Sequence, residues 1–188
     1  VNTGATTVGT VTVNAVAGVA TFSGVGISGT AGTSYTLTFA SGSLTSATQS
    51  ITPTAGTASQ LALSTSAAGS VSGAAFTTQP VVTIRDTYGN TVTGSTAAVT
   101  MTVSTGGTVV GTATATASSG VATFSTVGIS GTIGTAYTLT FSSGSLTSAT
   151  QSITPSAGTA SLLALSTSAA GSVSGAAFTT QPVVAIQD

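Results

Sequence analysis

The sequence predicts an all-β protein made of antiparallel β-sandwiches in tandem, and three observations carry that expectation. Apolar and hydroxyl residues alternate with period two, as in Tyr35-Thr36-Leu37-Thr38-Phe39, where three large apolar side chains fall on one strand face. Turn-forming residues interrupt these runs about every ten residues, the spacing of a sandwich of short strands. The chain also repeats itself: Gly18–Asp86 recurs as Gly120–Asp188, offset by 102 positions with eight substitutions. A period of about 102 residues is too long for a solenoid coil and is the size of an independently folding domain.

Over one period the expected strands are 59–65, 71–77, 80–86, 91–94, 97–105, 110–117, 121–127, 135–142 and 147–153. Leu61-Ala62-Leu63 patterns the first, Val82-Thr83-Ile84 the third and Val99-Thr100-Met101-Thr102-Val103 the fifth. Tyr137-Thr138-Leu139-Thr140-Phe141 repeats the Tyr35 pattern in the eighth. Thr and Val are β-branched, which suits a pleated surface and disfavours helix, and no apolar stripe recurs at helical spacing, so no helix is expected. Pro80 and Pro182 stand just before strands, a position that protects a sheet edge. Asp86-Thr87-Tyr88-Gly89-Asn90 is the clearest turn: Asp bonds amides ahead of it, while Gly and Asn tolerate positive φ. Ser118-Ser119-Gly120, Ser41-Gly42 and Ser143-Gly144 mark further reversals.

Pro53-Thr54-Ala55-Gly56 and Pro155-Ser156-Ala157-Gly158 read as linkers. The expected domains are residues 1–56, the later part of one copy; 57–158, a complete copy; and 159–188, the first strands of the next. Such phasing fits a window on a longer tandem protein better than sandwiches completed by strands from another chain.

Composition excludes much. The chain has one cation, Arg85, and two anions, Asp86 and Asp188, where about a quarter of residues are ordinarily charged. Lys, Glu, His, Cys and Trp are absent. One Arg cannot neutralise a phosphate backbone, so nucleic acid is excluded as a partner. Every apolar run is broken by Thr, Ser or Gly, so no segment reads as a membrane-spanning helix, and sparse aromatics argue against a membrane barrel.

Catalysis is not expected: without His, Cys, Lys or Glu no nucleophile–base pair can be assembled. No catalytic, cofactor or metal site is predicted. Asp86 and Asp188 are equivalent positions of successive copies, so each copy brings one carboxylate, too few for calcium, and Asp86 reads as a turn former. Arg85 becomes Gln187 in the duplicate, so an Arg85–Asp86 pair is not required by the fold. A Thr–Gln ester at Gln49, Gln60, Gln79 or Gln151 has no His or Glu to assist it. No N-glycosylation sequon occurs at Asn2, Asn14 or Asn90, while exposed Ser and Thr are open to O-linked glycans. Tyr88 is expected at the end of the sandwich, as a cap or as a contact to a neighbouring domain or a glycan. The eight copy-to-copy differences, Gly24/Thr126, Ala31/Ile133, Ser34/Ala136, Ala40/Ser142, Thr54/Ser156, Gln60/Leu162, Thr83/Ala185 and Arg85/Gln187, form no copy-specific aromatic or polar cluster of the kind an adhesive loop would carry.

The apolar strand Gln79–Arg85 running into Asp86-Thr87-Tyr88-Gly89-Asn90, followed by Gly120-Val121-Ala122-Thr123-Phe124 and the aromatic strand Ala136–Phe141, resembles the bacterial Ig-like repeats of the invasin/intimin-like group. The resemblance covers the whole period. It implies tandem Ig-like sandwiches, export to the cell exterior and use as a segment of a large surface protein. Together with the near-absence of edge-protecting charge, it leads to the expectation of a structural repeat in an extracellular stalk or self-associating filament. Its partners would be neighbouring repeats and other copies of the chain. An adhesin module binding carbohydrate or a receptor is the alternative.

Overall fold

The computed structural model describes Val1–Asp188. All regular structure is β: β1 (Ala5–Val8), β2 (Gly26–Gly29), β3 (Tyr35–Phe39), β4 (Ala47–Ile51), β5 (Gln60–Thr65), β6 (Ala74–Ala75), β7 (Val81–Arg85), β8 (Ala98–Val103), β9 (Thr108–Val110), β10 (Thr114–Thr116), β11 (Val121–Thr123), β12 (Gly128–Ser130), β13 (Tyr137–Ser142), β14 (Ala149–Ile153), β15 (Leu162–Thr167) and β16 (Val183–Gln187). Every ladder between them is antiparallel, and the fold is an all-β sandwich.

The core lies in the middle of the chain. One layer is a four-stranded sheet in the order β10-β8-β13-β14; facing it are β11-β7-β5 and the short β6-β12-β9 sheet. Val82 and Ile84 from one layer meet Val99, Met101, Leu139 and Phe141 from the other, all fully buried, as the period-two alternation requires. Phe124 packs edge-on against Phe141 at a centroid distance of 5.6 Å. Tyr137 is buried with its hydroxyl accepting from Thr132 N at 2.8 Å, so its polar tip stays bonded inside the sandwich.

Two half-buried glutamines stitch segments that the ladders leave apart. Gln151 accepts from Ala67 N and donates to Ala67 O, and Gln79 does the same with Val127 N and Val127 O. At Ala67 the side-chain amide of Gln151 stands in for a strand neighbour, while at Val127 that of Gln79 adds to the backbone bond from Phe76 N to Val127 O.

Four expectations needed correction. The strand expected at 71–77 is reduced to the two-residue β6, with Val71 in a lone bridge to Ser156. The single strand at 110–117 is two: β9 pairs with β12, β10 pairs with β8, and the chain changes sheets at Gly111. Gly111 has φ 75°, and a Cβ there would lie 2.0 Å from Thr126 O, so only glycine makes this crossing. The strand expected at 121–127 ends at Thr123, and β12 follows it in the other small sheet. The strand at 91–94 is a single bridge between Thr91 and Arg85.

The flanking residues repeat this plan locally. β3–β4 keeps the register of β13–β14, Tyr35 opposite Ile51 as Tyr137 opposite Ile153. β15–β16 keeps the register of β5–β7, including the irregularity after Leu165 that matches the one after Leu63.

Candidate functional site

The one charged side chain among the buried residues is Asp86, in the turn where the central sandwich meets the segment before it. Asp86 follows β7 and is 1% exposed. Its Oδ1 accepts from Tyr88 N and Asn90 N, both at 2.9 Å, which closes the turn that the sequence signals. Its Oδ2 accepts from Gly56 N in the linker at 2.9 Å and from Asn90 Nδ2 at 3.1 Å. The Asp86 carbonyl accepts from Gly89 N and from Gln60 Nε2. Burial pushes the Asp86 carboxyl upward, but the hydrogen bonds from Gly56, Asn90 and Tyr88 outweigh it and hold the group below the ordinary 3.8.

Asn90 extends the turn across the joint. While Nδ2 donates to Asp86, its Oδ1 accepts from Ala31 N at 2.9 Å, linking residues 59 positions apart. The loop carrying Ala31 follows β2 and is itself tied down by Gly32 N donating to Pro53 O. A chain of bonds therefore runs from the Ala31 loop through Asn90 and Asp86 to the Gly56 linker. Beside it lies an open cleft of about 410 Å³ lined by Gly4–Thr6, Ser28–Thr30, Tyr88 and Asn90.

Tyr88 stands over this cleft at 74% exposure, so it covers little of the sandwich end and does not act as the expected cap. Arg85 donates through Nε to Thr83 Oγ1 at 2.9 Å, not to its neighbour Asp86. Gln60, Gln79 and Gln151 are engaged with backbone groups. No group of three or more His, Cys, Asp or Glu comes together.

Sequence reasoning found the Asp86 turn but missed its reach: the bonds to Gly56 and Ala31 are contacts of long separation that no local pattern announces. It also missed a cluster. Gln60 lies opposite Arg85 across β5–β7, Ala62 lies opposite Thr83, and Arg85 bonds Thr83. Three of the eight copy-to-copy differences thus form one patch on one sheet. In the duplicate, Leu162 lies opposite Gln187 and Ala164 opposite Ala185, so the polar cluster becomes largely apolar.

No family model and no curated protein matches the chain. Among solved structures it is similar to a β-glycosidase from Bacteroides vulgatus (12% identity, 71% of this chain, 19% of that one, TM-score 0.45). It is similar also to a glycosyl hydrolase family 2 member from Bacteroides cellulosilyticus DSM 14838 (16% identity, 69% of this chain, 19% of that one, TM-score 0.43). A third is the β-glucuronidase of Parabacteroides merdae (16% identity, 58% of this chain, 15% of that one, TM-score 0.39). The chain thus spans less than a fifth of these enzymes, and a likeness of this degree transfers no activity. The expectation of a surface stalk or self-associating filament, with an adhesin module as alternative, is corrected by these likenesses: the three structures named are glycosidases, and none of them is a stalk, filament or adhesin. That expectation leaned on the scarcity of charge, which describes the surface chemistry of a sandwich and does not specify an assembly.

Proposed function

We propose that this chain is a non-catalytic Ig-like module whose work is positional: it holds one β-sandwich at a set angle to the next through the Asp86–Asn90 joint. The observation that carries this reading is that Asp86, the one carboxylate of the central sandwich, is spent on structure. Both of its oxygens are occupied by turn and linker donors, and it is 1% exposed. Hydrolysis of a glycosidic bond ordinarily uses two carboxylates flanking the substrate. Here Asp86 is buried and Asp188 sits at the equivalent place of the following copy, bonded to Gly158 N.

The finer reading places the chain among tandem bacterial Ig-like repeats of the invasin/intimin-like group, in an exported, extracellular protein. Two features support it: the ordered motifs from Gln79 to Phe141, and a surface of hydroxyls and amides that titrates little and is open to O-linked glycans. Its partners are the neighbouring repeats, met at the joint.

The experiment uses the absence of cysteine to place two spin labels without ambiguity. With Ser43→Cys and Ser145→Cys, exposed equivalents in successive copies, a narrow distance distribution is expected, broadening with Asn90→Ala. A distribution already broad and indifferent to Asn90→Ala refutes the positional role, and turnover of aryl glycosides above the buffer rate refutes the non-catalytic one.

A further inference from the structure

The copies are nearly identical, so a difference located at the joint invites explanation. Ala31 is such a position: its backbone N–H donates to Asn90 Oδ1, and its duplicate is Ile133. At the second joint Ile133 is half exposed and lines a cleft of about 350 Å³ with the linker residues Ala157 and Gly158 and the end of β16 from Ile186 to Asp188. The duplicated sequence gives the corresponding neighbours of residue 31 as Ala55, Gly56 and the Ile84–Asp86 strand end. An alanine methyl reaches little of that surface. An isoleucine at the same backbone position offers a larger apolar face to the linker, where the partly buried Ala31 offers a methyl beside its bonded N–H.

We propose that the residue at position 31, and at its duplicate 133, sets how tightly each sandwich is held against the next. The surface it grips is the linker and strand end of the following copy. With alanine the joint is held by the Asn90–Ala31 bond and the Asp86–Gly56 bond alone. Those bonds fix direction but cover little apolar area. With isoleucine the same bonds are joined by apolar burial, which favours the closed joint several-fold. The tandem copies therefore differ in stiffness while sharing one fold, and the difference is written in one side chain of the loop after β2 or β12.

This inference rests on the joint being the working part, and its test separates the two. In the protein carrying labels at Ser43→Cys and Ser145→Cys, Ala31→Ile is expected to narrow the distance distribution, while Ala31→Gly leaves it as broad as the parent or broader. The loop already tolerates isoleucine at 133, so the variant is expected to fold, and an unchanged thermal midpoint of the central sandwich checks this. The Asn90→Ala response reports on the joint itself; the Ala31→Ile response reports on the tuning. A width for Ala31→Ile equal to the parent's, in a protein that still broadens with Asn90→Ala, overturns the tuning and leaves the joint standing.

Discussion

The same sequence occurs in two settings within this chain, and the contrast separates what is local from what is tertiary. Leu61 and Ile84 face each other across β5–β7 with 6% and 0% exposure, while Leu163 and Ile186, in the same register on β15–β16, are 71% and 72% exposed. Phe141 is fully buried and Phe39, its duplicate, is 37% exposed. The hairpins, turns and aromatic pairs survive in both: Phe22–Phe39 stands at 5.5 Å as Phe124–Phe141 does at 5.6 Å. Hairpin geometry is thus decided by near neighbours, whereas burial, and the stability that follows it, requires the facing sheet.

Paired substitutions in the two settings measure that difference. Phe141→Ala is expected to cost about 3–5 kcal/mol, and Phe39→Ala about 1 kcal/mol, read as denaturant-midpoint shifts at constant slope. Equal losses break the contrast. Gly128→Ala drives a Cβ to 1.9 Å from Ala74 O, whereas at Gly26 a Cβ meets nothing within 4 Å. The first is expected to cost about 1–3 kcal/mol by forcing β6 away, the second less than about 0.5 kcal/mol.

Asp86 gives the third pair. Its carboxyl is held below 3.8 in the fold, so its contribution is present above that pH and fades as pH falls through the lower folded value. Asp86→Asn is expected to flatten this acid limb of a pH–stability curve and to lower stability at neutral pH by about 1–3 kcal/mol. Asp188→Asn, where the carboxylate meets one linker amide, is expected to do far less. Smallest is the glutamine pair: Gln151→Ala loses both bonds to Ala67, about 1–2 kcal/mol, and Gln49→Ala leaves the midpoint unchanged.

The sandwich layers were legible because alternation writes the buried face directly, as at Val99, Met101 and Val103 or Leu139 and Phe141. The sheet change at Gly111 was not. Thr112-Ala113-Thr114-Ala115-Thr116 alternates without a break, and the glycine's reason, the approach of Thr126 O, comes from a segment that touches it only after folding. The Asp86 turn was legible because Asp, Gly and Asn each have a local preference there. The Gly56 and Ala31 bonds were not, because hydrogen-bond partners 30 and 59 residues away leave no local trace. The Gln60–Thr83–Arg85 patch became visible once cross-strand register placed residues 60 and 85 opposite one another.

One feature of β7 reaches beyond its packing. Arg85 is the chain's one basic residue and lies at the end of the middle strand of β11-β7-β5, its backbone paired with Gln60 and bridged to Thr91. A protease that cuts after basic residues therefore has a single target, the Arg85–Asp86 bond, and must pull that strand end out of its ladder to seat it. Cleavage into two fragments becomes a clock for the opening of the central sandwich, insensitive to fraying of the hairpins on either side.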